Sequence, residues 1–329
     1  MGVLKNVLFV LGTLFSLLLL INATKVDPIK KEEHKILTES LINDYNVYAV
    51  PMPENINFAG ELVPVENPDI RERMDRELLV NTYWQSNGLL LFKRAHKYFP
   101  VIEPILKEEG LPDDFKYLAV IESGLTQAVS PARATGFWQI LKTTGREYGL
   151  EINQNVDERY HIEKATRVAC KYLKAAKERL GTWTLAAAAY NAGNAGIRKQ
   201  LERQNATSYY DLLLGQETGR YVFRIAAMKE ILSNPRKYGF NFKKRDLYSH
   251  IPTFNVLVEE PITDFNEFAA KYKINYKILK LHNPWLRETH LNNASGKEYL
   301  IQIPKEGHYK IASNQNIEIK EMLMDTIRE

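Results

Sequence analysis

Apolar residues recur at helical spacing through most of the middle of the chain. Ile70, Met74, Leu78 and Leu79 follow Asn67-Pro68-Asp69, a start signal with proline in the first turn and an acid near the positive helix end. Leu89, Leu90, Phe92, Ala95 and Tyr98 make a second stripe. Between His161 and Leu180, the positions Ala165, Val168, Ala169, Tyr172, Leu173 and Ala176 keep a 3.6-residue period. Thr182 to Tyr190 is rich in alanine, which lets another helix approach closely. Glu217 to Leu232 gives a last helix, stopped by Asn234-Pro235. No strand-like alternation interrupts the block, so residues 67–240 read as one all-α domain.

The pattern changes beyond a charged stretch at 241–252, which reads as a linker. Phe254 to Val258, Phe265 to Tyr272, Tyr276 to Pro284 and Glu298 to Pro304 follow as strand, helix, helix and strand. Val256 and Val258 alternate as a paired strand does, and so do Tyr299 and Ile301. Residues 253–304 are therefore expected to form a small α+β (βααβ) domain that folds, or can be removed, as a unit. Residues 305–329 are a polar tail. At the other end, Lys5 precedes a long apolar run closed by Ala23, the pattern of a secretory signal over residues 1–23. Left uncleaved, that run would associate the protein with a membrane. No cysteine stands at the junction, which excludes a lipid anchor there. Residues 24–66 are polar and proline-dotted, a loosely packed arm. Export to the periplasm or cell envelope is the expectation.

Composition narrows the chemistry. The apolar and charged fractions, 45% and 26%, are those of an ordinary globular protein rather than a disordered one. A net charge of +4 gives no case for nucleic acid as a partner, although it fits weak attraction to an anionic polymer. The single cysteine, Cys170, sits in a helical pattern as a small hydrophobe and excludes an internal disulfide or a cysteine-rich metal site. The histidines are scattered, with no metal-ligand pair, no glycine-rich phosphate loop and no Gly-x-Ser-x-Gly elbow. No metal or cofactor is expected, and protein partners are not indicated.

The chemistry gathers around Lys116-Tyr-Leu-Ala-Val-Ile-Glu-Ser-Gly-Leu125. Pro112-Asp113-Asp114 opens this helix and Gly124 ends it, which leaves Glu122 in the last turn. There the helix dipole and apolar neighbours disfavour a carboxylate, so a raised pKa is expected. A carboxyl that stays protonated can donate to a leaving oxygen. A surface glutamate at a frayed helix end is the plain alternative. Three further clusters stand out: Ser130 to Ile140, with Gly136 leading to Trp138 and Gln139; Ala189-Tyr-Asn-Ala-Gly193; and Glu217-Thr-Gly-Arg-Tyr221. Aromatics, amides and hydroxyls suit sugars, whose ring faces pack on aromatic rings and whose hydroxyls pair with amides. Each cluster alone is also ordinary turn chemistry.

In this order the motifs resemble a family. Glu122-Ser123, Gly136-Phe-Trp-Gln139, Ala189-Tyr-Asn-Ala-Gly193 and Tyr221 are similar to the successive motifs of soluble-type lytic transglycosylase domains, with the flanking residues most like the membrane-bound lytic murein transglycosylase D group. The final segment resembles a LysM module. The resemblance covers roughly residues 50 to 304. It implies a mainly α fold, with a lysozyme-like all-α catalytic domain and a small C-terminal LysM-like domain. It implies peptidoglycan glycan strands as the substrate and Glu122 as the sole catalytic acid/base. Ser123, Ser130, Trp138, Gln139, Tyr190, Asn191 and Tyr221 are the implied substrate-binding positions, with Ser130 steadying the glutamate. Phe137-Trp138 departs from the family's usual Leu-Met and would alter the groove floor. Glu260-Pro-Ile-Thr-Asp264 replaces the usual Gly-Asp-Thr of the module.

Ordinary glycosidases use two carboxylates, about 5–5.5 Å apart when retaining and about 6.5–9.5 Å apart when inverting. No acid lies between Gly124 and Arg146, or between Thr182 and Lys199. The motif loops supply no second carboxylate. The resemblance implies a non-hydrolytic reaction, in which the 6-hydroxyl of N-acetylmuramic acid closes a 1,6-anhydro ring. Two rivals stay open: a goose-type-lysozyme-like hydrolase, with Glu217 or Asp157 placing water, and a non-catalytic protein that clamps cell-wall glycan.

Overall fold

The computed structural model describes residues 47–309. The signal segment, the arm up to residue 46 and the tail from residue 310 lie outside the described residues. From Val50 onward the chain forms one unit, and its centre is helical.

The arm is partly built into the core. Strands β1 (Asn57–Phe58) and β2 (Glu61–Leu62) pair antiparallel about a turn at Ala59-Gly60, both at positive φ, the twist that suits a tight hairpin. Ile56, Phe58 and Val63 are buried, and Phe58 meets the Phe115 ring edge-on at 5.0 Å. The Ala59 N–H donates to Asp114 at 2.7 Å. Val50 and Met52 pack on the same core, so among the described residues the ordering expected toward the first helix begins before the hairpin.

Helix α1 (Pro68–Tyr83) starts at the expected proline and buries Ile70, Met74 and Leu78. Leu79 does not belong to that face: it is 37% exposed, and Glu77 is buried in its place, bonded by Arg220 and Arg76. A salt-bridged acid reads as a surface residue in the apolar pattern. Helix α2 (Gln85–Glu108) follows at once, separated only by Trp84. Helix α3 (Lys116–Ser123) is entered through a 3-10 turn at Asp113–Phe115, so the α-helix proper begins after the acidic pair. Helix α4 (Lys142–Glu147) is short, and α5 (Ile162–Leu180) is closed by Gly181 at φ 89°. Cys170 is fully buried there, and burial pushes its thiol up to about 12.

Helix α6 (Trp183–Ala192) buries Ala186 to Ala189 completely, so it packs closely on α5 and on α8 (Gln216–Ser233). Its first turn is capped twice, by the Thr182 hydroxyl and by Glu61 of β2, which accepts from the Trp183 and Thr184 N–H groups at 2.6 and 2.9 Å. Helix α7 (Asn194–Gln204) follows α6 directly. Helix α8 is the axis of the domain: it packs on α1, α3 and α6 and buries Tyr221, Phe223, Ile225 and Met228.

The C-terminal segment has the expected order. Strand β3 (Thr253–Val258) pairs antiparallel with β4 (Tyr299–Pro304), with Val256 opposite Ile301, and α9 (Phe265–Lys271) and α10 (Tyr276–His282) lie between them. Asp264 and Asn275 cap the two helices. Its core, however, is not self-contained. Val156 and Tyr160 of the helical domain are buried with Phe265, Leu279, Trp285 and Leu286. Val156 forms a β-bridge to Leu286, Asp157 N–H donates to the Trp285 carbonyl at 2.9 Å, and Asn155 bonds His290 and Asn292. Two side chains of the neighbouring domain thus complete the core of the segment expected to be removable as a unit. Residues 241–252 are docked rather than free, with Phe242 and Leu247 packed on the main core and Lys93 donating to the Asp246 carbonyl at 2.6 Å.

Candidate active site

Glu122 lies in the last turn of α3, and Gly124 at φ 59° turns the chain out of the helix while its N–H donates to Val120 at 2.9 Å. The exposed carbonyls of this terminus are taken by two arginines. Arg224 of α8 donates to the Ile121 carbonyl at 3.0 Å, and Arg94 of α2 donates to the Gly124 carbonyl at 3.1 Å. The dipole at this end is thus largely compensated. Burial, rather than the dipole, is the main cause that raises the Glu122 pKa. The Tyr221 hydroxyl and Arg224 oppose it, and the nearby Glu217 carboxylate adds to it.

Tyr221 is 1% exposed and donates a short hydrogen bond to Glu122 Oε1. The resemblance implies a substrate contact at this position; in the structure the buried phenol holds the acid. Burial and the neighbouring Glu122 keep the pKa of Tyr221 well above the ordinary phenol value, so it remains a donor.

Residues 129–140 fold into a tight loop with bridges from Thr135 to Val129 and to Ile140. Gly136, at φ 81°, is forced by its surroundings, because a Cβ there would stand 2.2 Å from the Arg159 carbonyl oxygen. Gln139 sits at φ 46°, an uncommon conformation for a residue with a side chain, held as its Nε2 donates to the Ala128 and Gly136 carbonyls at 3.0 and 2.9 Å. Trp138 points the other way. It is fully buried and donates to Thr166 Oγ1 at 2.8 Å, so it is core and not a substrate contact. Phe137 is buried too, against Tyr98, which removes the pair from the groove floor. An exposed-looking loop sequence gave no sign that these large rings fold inward beneath it.

The two serines are also structural. Ser123 Oγ donates to the Phe137 carbonyl at 2.8 Å and so ties α3 to the loop. Ser130 Oγ accepts from the Ala134 N–H at 3.1 Å, closing its own turn rather than meeting Glu122. Tyr190 donates to the Trp138 carbonyl at 2.6 Å, and Asn191 is held from both sides, by Glu217 at 3.2 Å and Thr218 at 2.7 Å. Gln139, Tyr190, Asn191 and Gly193 come together in a cleft of about 360 Å³, with Tyr172 and Leu141 on its walls. Among the sequence-predicted positions, the structure thus groups Glu122 with Tyr221, and Gln139 with Tyr190 and Asn191. Asp157 belongs to neither group. It is buried and paired with Arg159 at 2.7 Å, beside the C-terminal module.

Arg224 and Arg94 escaped the sequence reading, whereas Thr218 fell inside a cluster it singled out. Arg224 stands three residues after Tyr221 on the same helix, spacing that puts both on one face. That was the one usable signal.

An acid on a glycine-ended helix, a fixed loop with a glutamine and a cleft edged by Tyr190-Asn191 thus belong to one helical domain. Residues 99–213 match the family described as Transglycosylase SLT domain, and residues 254–307 match Soluble lytic transglycosylase C-terminal LysM-like domain. The chain therefore combines an SLT transglycosylase domain with a C-terminal LysM-like domain. More particularly, it is 30% identical over 247 residues to Membrane-bound lytic murein transglycosylase D of Escherichia coli strain K12, a match covering 73% of this chain and 53% of that protein. The same figures hold for the protein of that name from Escherichia coli O6:H1. The chain spans about half the length of these curated relatives. An inactive mutant of the lytic transglycosylase Slt from Pseudomonas aeruginosa is similar in structure at a TM-score of 0.36 and 21% identity, over 46% of this chain and 26% of that one. Glu122, Gln139, Tyr190 and Asn191 lie inside the SLT match, whereas Tyr221 and Arg224 lie beyond it.

Proposed function

We propose that this chain is a peptidoglycan lytic transglycosylase that cuts the bond between N-acetylmuramic acid and N-acetylglucosamine without water. The observation that carries the reading is the state of Glu122, a carboxyl whose pKa is raised by burial and which acts electrostatically on Tyr190, a residue of the amide- and aromatic-lined cleft. Oε1 accepts from Tyr221, so the transferable proton belongs on Oε2. Glu122 donates it to the glycosidic oxygen, and the substrate's own N-acetyl group stabilises the developing cation. Glu122, now a base near Arg224, takes the proton of the 6-hydroxyl as that oxygen closes the 1,6-anhydro ring. Intramolecular attack supplies the proximity that a bound water would otherwise need. Gln139, Tyr190 and Asn191 are the glycan contacts in this scheme. With the proton of Tyr190 directed at Trp138, its ring face and oxygen lone pairs are what it offers.

One observation favours the hydrolytic rival: Glu217 is exposed and near enough to raise the Glu122 pKa. Its carboxylate is engaged with Asn191, which supports a positioning role instead. Mass spectrometry of muropeptides released from purified sacculi decides. Digests should carry 1,6-anhydro-N-acetylmuramic acid ends, and digests dominated by new reducing ends would establish a hydrolase. Export to the cell envelope belongs to the same proposal. No helix among the described residues is long and apolar enough to cross a membrane.

A further inference from the structure

Two clefts approach Glu122, one through Tyr190 and one through its chain neighbours Ile121 and Ser123. The first holds Gln139, Tyr190 and Asn191. The second, about 320 Å³, opens beside the same end of α3 and is lined by Trp84, Asn81, Asn87, Arg94, Ser123 and Arg224. They share no residue. Glu122 is electrostatically coupled to Tyr190 on one side and to Arg224 on the other.

The second cleft differs in chemistry from the first. Trp84, alone between α1 and α2, is 57% exposed, an aromatic platform at the rim. Asn81 uses its amide N–H on the Glu77 carbonyl at 2.7 Å, which leaves its side-chain oxygen for a ligand. Arg94 and Arg224 each donate one N–H to a carbonyl of the α3 terminus. Capping uses only part of a guanidinium with five donors. Among the described residues neither arginine forms a salt bridge, although this fold pairs Arg76, Arg159, Arg167 and Arg220 with acids. Two guanidinium groups held at fixed positions beside a platform and amides suit a carboxylate, which takes paired N–H donors. An uncharged sugar offers them hydroxyl acceptors but no opposite charge.

We infer that this cleft is a carboxylate-selective subsite that takes the peptide substituent of the N-acetylmuramic acid next to the cut bond. The inference rests on the lytic transglycosylase reading. In that substrate class the peptide stem bears the anionic groups, and it projects from the sugar adjacent to the catalytic acid. Arg94 and Arg224 receive a stem carboxylate, while Trp84 covers the apolar side of the peptide. Arg94 is then a specificity residue of the reaction, and the enzyme prefers peptide-bearing strands.

The test compares kcat/KM on glycan strands carrying their peptides with the same strands after their stem carboxylates are converted to amides by carbodiimide and ammonia, read as the ratio of the two. The wild-type ratio should be about tenfold or more in favour of the carboxylate-bearing strands, the size of one charged hydrogen-bonded contact. Arg94→Gln should bring it near unity, and Arg94→Lys should keep part of it as a point charge. Arg94 also holds the Gly124 carbonyl, so Trp84→Ala, at an exposed position, gives a second reading and decides if the Arg94 variant does not fold. A wild-type ratio near unity, or an unchanged ratio in both variants, overturns the subsite. A wild type that yields no 1,6-anhydro ends on either substrate refutes the catalytic reading itself, and the subsite with it.

Discussion

Replacing Glu122 by glutamine separates its role in chemistry from its place in the fold. The amide keeps the size of the side chain and an oxygen that can accept from Tyr221, but it has no proton to transfer. General acid/base groups contribute about 10²–10⁴-fold, and one residue serving both steps puts the loss at or beyond the upper end. The stability effect has a definite sign. Burial raises the Glu122 pKa above its unfolded value near 4.5. Below that value the group is protonated in both states, and wild type and variant should melt together. As pH rises, the unfolded chain ionises first, which lowers the stability of the wild type until the folded pKa is passed. Each pH unit by which the folded pKa is raised corresponds to about 1.4 kcal/mol. For a protein of this size that is about 2 °C in Tm. Glu122→Gln should therefore gain on wild type as pH rises above about 4.5 and hold the gain once the raised folded pKa is passed, a window set by the ordinary carboxylate value at its lower edge. The assays are turbidity clearance of sacculi and melts of both proteins across that range. A gap in Tm that does not change with pH would refute the raised pKa. Full activity in the variant would remove Glu122 from the mechanism.

Two further outcomes follow from the packing. Gly136→Ala should lower stability by more than about 1 kcal/mol, because the residue is at positive φ and its Cβ would meet the Arg159 carbonyl; an unchanged thermal melt would contradict this. A chain ending at Tyr248 leaves Val156 and Tyr160 uncovered, each worth about 1.5–3 kcal/mol when buried, so the remaining helical domain should melt several degrees lower while binding sacculi more weakly. Equal melting would show that the shared core is not needed, and equal pelleting with peptidoglycan would remove the glycan-binding role of the C-terminal segment.

What the sequence made legible was local. The period over His161 to Leu180 gave α5, Gly124 marked the end of α3, and the strand-helix-helix-strand order of the last domain was written in its apolar runs. Glu122 stood out because a carboxylate at a helix terminus is a local anomaly. What stayed hidden depended on partners distant in sequence. Trp138 looks like a presented ring until Thr166, 28 residues on, takes its N–H. Glu77 looks like a surface acid until Arg220 covers it, and Leu79 takes the outward position in consequence. Ser130 was matched to the acid by motif, but the backbone of its own loop is the nearer donor. The joining of the two domains through Val156 and Tyr160 left no periodic trace, since single residues in a loop carry it.

The segment 155–160 is fastened at both ends of its reach, and this makes it a mechanical link. On one side Val156 and Asp157 are bonded to Leu286 and Trp285 of the C-terminal domain, and Asn155 holds Arg287. On the other, Arg159 grips the carbonyls of Arg133 and Ile140 at 3.0 and 3.2 Å, the two ends of the loop that carries Gln139. Between them the Asp157–Arg159 pair is buried and doubly bonded. A pull on the C-terminal domain is thus delivered to the wall of the cleft within a few residues. Under the proposed function, tension in a glycan strand held by that domain would load the loop that carries Gln139.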